Sequence, residues 1–245
     1  MNLARRPFLA LAALAWPPFA HAAAETLVKG SGIAATQRRD IGAFVGVGLG
    51  APFAVVLRPA AREAIEIVAD DNVLALVQTR LEGTGIKRSL QIDLPRDVRV
   101  DPRTAVVVTI DYVRLENLGV GGAGSIAAVS MKAAKLEAAI GGSGKIDLGD
   151  LDVGKLAVAI GGAGTFRADG KARTLSVTLG GSGRCDAERL VAGDVAVSVA
   201  GSGDCRVHAE TALRASIAGS GDVLHSGAAI PHQVAIVGSG RVRRL

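Results

Sequence analysis

The chain has 245 residues, 49% of them hydrophobic and 21% charged, with 28 Lys plus Arg against 23 Asp plus Glu. That is too apolar for a disordered or linker segment and long enough to bury a sizeable core. The basic residues are interleaved with acids, and one Trp, one Tyr and five Phe are few, so neither a nucleic-acid surface nor an aromatic platform for sugar stacking is expected.

Residues 1–22 read as an export signal. Arg5 and Arg6 precede an apolar run from Phe8 to Trp16, and Ala20 and Ala22 flank His21 in the A-x-A pattern of signal-peptide cleavage, which places the cut after Ala22. The run is shorter than the ~20 apolar residues of a membrane span and is interrupted by Pro17 and Pro18, so no transmembrane segment is expected once the signal is removed. Arg5-Arg6 with Phe8-Leu9 also resembles a twin-arginine signal, with a plain basic stretch as the alternative. No cysteine stands directly after the cut, which argues against a lipid anchor. Cleavage removes two arginines and no acids, lowering the formal net charge from +5 to +3.

Residues 23–118 are expected to form a less regular β-region. "FAVVLR", "AIEIVAD", "SLQIDL" and "AVVVTIDY" are β-branched or alternating runs. Turn signals separate them at Arg58-Pro59, Asp70-Asp71-Asn72, Glu82-Gly83-Thr84-Gly85 and Asp101-Pro102. "NVLALVQTRL" fits a short helix or a strand equally.

Residues 119–245 carry a repeat. Glycine triplets of the form GxG occupy Gly122 and Gly124, Gly142 and Gly144, Gly162 and Gly164, Gly181 and Gly183, Gly201 and Gly203, Gly219 and Gly221, and Gly238 and Gly240, at steps of 18 to 20 residues. With no helical pattern between copies, this is the length of one coil of a parallel β-solenoid. Before the glycines, apolar residues fall at every second position, as in Leu136, Ala138 and Ile140 or Val195, Val197 and Val199, the period of a strand with one buried face. Small residues between them, Ala139, Ala159, Thr178, Ser198, Ser216 and Ala235, form an outer column. Two residues after each triplet comes a second inward column: Ile126, Ile146, Phe166, Cys185, Cys205, Val223 and Val242. Each triplet is expected to turn a corner where a residue of positive φ is wanted. A phosphate loop would occur once and lead into a helix, and a calcium nonapeptide would keep its acid, whereas here that position reads Asp147, Arg167, Asp186, Arg206, Leu224, Arg243. No cofactor or metal motif is read.

Stacked in register, Asp147, Arg167, Asp186 and Arg206 would form a ladder of alternating charge that favours correct pairing. A sharper alternative makes Arg167, Arg184 and Arg206 a site for an acidic polymer. Cys185 and Cys205 are one period apart on neighbouring coils; export favours a disulfide, while strand spacing leaves them slightly far apart for one. Buried thiols filling space are the alternative.

The order of elements resembles the putative auto-transporter adhesin head GIN domain of exported bacterial proteins. The likeness runs from about Arg39 to the end, through "IGAFVGVGLG", "FAVVLR", "IEIVADDNVLALVQTRLEGTG" and "SLQIDL" to "VVVTIDYVRLENLGVGGAGSI". The resemblance implies a right-handed parallel β-helix, export and no established enzyme activity; parallel crossovers favour the same hand.

Function then divides into classes. An exported adhesin-like or structural module that binds a surface polymer or envelope protein is the preferred reading, and self-association is a further option. A polysaccharide lyase or hydrolase would need positioned acids and bases. Asp147, Asp150 and Asp152 form the densest acid group but follow one another around a turn, and His208, His225 and His232 share no repeat position and are expected at the surface.

Overall fold

The computed structural model describes residues 25–85 and 87–245; the signal-peptide reading of residues 1–22 lies outside them. The described chain is almost wholly β. Its first strands are β1 (Thr26–Lys29), β2 (Ala34–Arg39), β3 (Gly46–Leu49), β4 (Ala54–Pro59) and β5 (Ala64–Asp70), followed by one helical turn, α1 (Asp71–Leu74). Next come β6 (Gln78–Glu82), β7 (Ser89–Asp93), β8 (Val98–Asp101), β9 (Val107–Tyr112), β10 (Asn117–Val120) and β11 (Ser125–Ala128). The long strands of the repeat are β12 (Met131–Ile140), β13 (Lys145–Ile160), β14 (Thr165–Leu179), β15 (Arg184–Gly201) and β16 (Asp204–Gly219), and β17 (Asp222–Ser226), β18 (Pro231–Gly238) and β19 (Arg241–Arg244) complete the chain. The ambiguous segment "NVLALVQTRL" divides: its first residues join α1, where Val73 is buried, and its last join β6.

The repeat is a parallel β-solenoid of about six turns, about 20 residues apart. Equivalent residues of successive coils pair directly, for example Ile146 with Phe166, Phe166 with Cys185 and Cys185 with Cys205. Both inward columns are buried: Leu136, Leu156, Leu175, Val195 and Leu213 on one side and Ile126, Ile146, Phe166, Cys185, Cys205 and Val223 on the other. Each large apolar side chain removed from water contributes on the order of 1.5–3 kcal/mol, before the entropy of ordering the chain is set against it. Stacking lets each coil bury the face of the one before it.

The N-terminal region extends the same stack. β3 and β4 pair in parallel with β10 and β11, and β7 and β9 pair in parallel with β3 and β4 in turn. One apolar core runs through both regions, from Phe44 to Ala229. Beyond this the parallel order stops. β5 pairs antiparallel with β9, β2 antiparallel with β5, and β6 antiparallel with β7, while β1 and β8 form a separate two-stranded sheet. The carboxylate of Asp70, at the end of β5, accepts hydrogen bonds from the backbone N–H groups of Gly32 (3.1 Å), Arg103 (2.7 Å) and Thr104 (3.2 Å). It ties three segments over that end of the core.

The glycine corners have a different cause from the one expected. Among the triplets only Gly201, Gly219 and Gly238 have positive φ. What all fourteen triplet glycines share is closeness: a Cβ on any of them would lie 2.2 to 2.7 Å from a backbone oxygen of the coil beneath. The second glycine of the triplet often sits against an inward side chain as well, Gly144 against Val120 and Gly164 against Ile140. Tight stacking at the corner excludes a side chain, whatever the backbone angle.

Candidate functional site

The residues singled out in the sequence fall on two outward faces and in the core. Arg167, Arg184 and Arg206 share one outward face, because β14, β15 and β16 pair in parallel and these residues fall at alternate positions pointing out. That face is a charge ladder. Asp147 lies beside Arg167, Arg167 beside Asp186 and Asp186 beside Arg206. Arg167 donates to Asp186 at 3.1 Å, and Arg184 lies 4.0 Å from Asp204 in the neighbouring column. Among the described residues Arg206 forms no ion pair, so it is the arginine of the three most open to an outside anion. Exposed pairs of this kind are worth about 0–1 kcal/mol each and weaken in salt.

Cys185 and Cys205 face each other in register and are completely buried. The two are free thiols in the structure. Hydrogen bonding to Cys185, followed by burial, pushes the Cys205 thiol well above its ordinary pKa. Both side chains fill space in the core.

The opposite character is found on the small-residue face. Ala159, Thr178, Ser198, Ser216 and Ala235 line up on successive strands, with Ala157, Ser176, Ala196, Arg214 and Gln233 in the next column. Between the two columns runs a shallow groove of about 460 Å³, lined by hydroxyls and methyls and by Arg214, which donates to Gln233 at 2.9 Å. The face continues toward the N-terminus as glycine, with Gly48 and Gly119 in register and Gln91 lying over Gly48. At that end a charged cleft of about 570 Å³ holds the pairs Arg38–Glu66 and Arg58–Asp111, both at 2.9 Å.

The acid group read as an enzyme candidate is dispersed in other roles. Asp147 pairs with Lys145 at 3.0 Å and Asp152 with Lys171 at 3.5 Å, while Asp150 takes a positive φ of 39° at a corner and its N–H donates to Asp169. The histidines also differ from expectation. His225 is not at the surface: it points inward between Val207 and Arg244 and is only 5% exposed. Burial, and then the charge of Arg244, lower its pKa. His208 stands in a relay that sequence spacing did not reveal, with Ser226 Oγ 3.0 Å from its Nδ1 and Glu210 Oε1 2.5 Å from its Nε2. The three come together because Ser226 is the register partner of His208 one coil later and Glu210 is two residues along the same strand. Knowing the register, the i, i+2, i+18 pattern would have found them.

Comparison with known proteins decides the family. The family model described as "Putative auto-transporter adhesin, head GIN domain" matches residues 43–229, most of the chain. The chain belongs to the head GIN domain family. The GIN domain is also similar in fold to solved structures. One is a putative adhesin from Bacteroides fragilis, with a TM-score of 0.82 at 21% identity, covering 89% of this chain and 100% of that one. A second is a putative lipid binding protein from Parabacteroides distasonis, with a TM-score of 0.73 at 20% identity, covering 90% of this chain and 100% of that one. A third is a putative adhesin from Parabacteroides merdae, with a TM-score of 0.67 at 22% identity, covering 89% and 99%. No curated protein matches the sequence. Among the described residues of this GIN domain, no helix is long and apolar enough to cross a membrane.

Proposed function

We propose that this GIN domain is an exported, non-enzymatic, adhesin-like module that holds a surface polymer or an envelope protein against the flat sides of its solenoid. The observation that supports this best is the small-residue face. Its register is unbroken over Ala159, Thr178, Ser198, Ser216 and Ala235, and it presents hydroxyls at the strand spacing of ~4.8 Å without bulky side chains to interrupt an extended chain. A repeating surface of that kind suits a repeating ligand. The arginine face offers a second docking side for a polymer that is anionic, with Arg206 open and Arg167 and Arg184 able to exchange their aspartates for ligand acid groups.

Retention of the purified protein on immobilised envelope and cell-wall polymers tests the proposal. Ser198→Trp, which fills the groove, is expected to lower retention at least tenfold if a neutral chain lies there. Joint replacement of Arg167, Arg184 and Arg206 by alanine is expected to do so if the ligand is acidic, and to leave a steep salt dependence in the native protein only. Retention unchanged in both variants, or absent in the native protein, overturns the reading.

A second reading has one observation in its favour, the Ser226–His208–Glu210 relay, the arrangement by which a histidine activates a serine toward an acyl group. Its surroundings favour it less. Glu210 and His208 are 44% and 24% exposed at the side chain, whereas acyl transfer is carried mainly by preorganised oxyanion donors in a site shielded from water. Labelling of Ser226 by a fluorophosphonate, with loss on His208→Ala, would replace the binding reading by an enzymatic one.

A further inference from the structure

The two ends of the solenoid are unlike. The N-terminal end is closed by antiparallel strands and the Asp70 tie, with Val73 and Val77 buried beneath. At the C-terminal end, among the described residues, β18 pairs only with β16 and β19 only with β17, so both strands present a free edge there. Val234 and Ile236 continue the inward columns of Ala215 and Ile217, yet they are 47% and 42% exposed, with no described strand stacked beyond them. The core ends open.

We infer that two copies of this chain join end to end through β18, pairing antiparallel about a two-fold axis at Ala235. Four features point to a second copy. First, β18 reads PHQVAIVG and holds no Asp, Glu, Lys or Arg, the residues that normally guard a free edge. Second, the strand is complementary to itself. Residues opposite one another in an antiparallel pair point to the same side, so an axis at Ala235 sets Val234 against the partner's Ile236, and the inward columns of one copy continue into the other. Third, charge dictates the orientation. β19 carries Arg241, Arg243 and Arg244, and the two-fold places the arginine-rich strands of the two copies at opposite ends of the joint strand pair. Fourth, the free edges at the N-terminal end, β2 and β6, carry Arg38, Arg39, Arg80 and Glu82, charges that guard against an incoming apolar strand, so the self-complementary β18 finds its partner in a second β18 and the pair closes as a dimer. An anionic bilayer is the competing occupant, since exposed Ile230 and Val237 stand near the same arginines. It is the weaker candidate, because lipid supplies no hydrogen-bond partners for the unpaired backbone of the edge.

Sedimentation of the purified protein over a wide concentration range, together with a crosslink, tests the inference. The native protein is expected to shift from monomer to dimer as concentration rises. Val234→Lys with Ile236→Lys, at positions already half exposed, is expected to raise the dissociation constant at least tenfold while circular dichroism stays native. Ala235→Cys should form an intermolecular disulfide on mild oxidation, since opposed residues of an antiparallel pair fall within disulfide reach. Ala139→Cys, on the exposed face of β12, should not. A protein that stays monomeric throughout, with no Ala235→Cys crosslink, overturns the inference. If that monomer also floats with phosphatidylglycerol vesicles, and the double lysine variant does not, the end is a lipid surface instead.

Discussion

Gly164 shows what a single position in this fold must satisfy. A methyl group there would lie 2.4 Å from Ile140 Cγ2 and 2.7 Å from the carbonyl oxygen of Gly144. Both neighbours are held by the coil below, so neither has room to give way. Gly164→Ala is therefore expected to destabilise the protein by about 1–3 kcal/mol, the usual result of overpacking, as read from the urea midpoint. Gly121, where a Cβ would meet nothing within 4 Å, is the matched control and should tolerate alanine with little change. The glycine spacing was legible in the sequence because close stacking recurs at every corner. Its cause was not, since positive φ and lack of space select the same residue. His225 marks the opposite case. Its inward direction depends on being two residues past Val223 on one strand, and it broke the apolar pattern of its column, so sequence reasoning left it at the surface.

At the scale of elements, Asp70 decides how the first strands close the stack. Burial by itself would raise its carboxyl pKa, but hydrogen bonds from Thr104, Arg103 and Gly32 outweigh it and hold the group below the ordinary value of 3.8. The sign of the pH effect follows: the folded form prefers the carboxylate more than the unfolded chain does. Its contribution is complete above the unfolded value and is lost as pH falls through the lower folded one. Asp70→Asn is expected to lower the urea midpoint at pH 7 and to flatten the acid limb of the stability curve below about pH 4. A native-like acid limb in the variant would show that other carboxylates govern it. The stretch Asp70-Asp71-Asn72 carries a turn signal; in the structure Asp71 and Asn72 begin α1, and it is long-range partners at residues 31 to 33 and 103 to 104 that give the segment its role. Strands β4, β5, β7 and β9 were found where alternation placed them, because each has one buried face. Their antiparallel or parallel sense was not readable, since alternation is the same in both.

Across the whole molecule, stability should follow position along the stack. In a solenoid each coil contacts only its neighbours, so a coil with two neighbours is held on both sides and the last coil on one. Amide hydrogen exchange is expected to be slowest in β13 to β15 and fastest in β18 and β19, in step with their exposure. Slow exchange in β18 at high protein concentration but not at low would be the signature of the dimer. Uniform exchange along the chain would contradict the nearest-neighbour picture.

The sequence by itself determined the layered β architecture, because a column of like residues recurring every 18 to 20 positions has only one economical arrangement, coils piled in register. It determined the inward and outward columns too, since alternation along a strand is a local property. Only the tertiary structure decided which outward residues meet. The Ser226–His208–Glu210 relay, the three backbone donors to Asp70 and the open end at Val234 and Ile236 all depend on which segments lie above and which below. Neighbours across coils are set by stacking, and stacking is a relation between distant segments that no local pattern of residues contains.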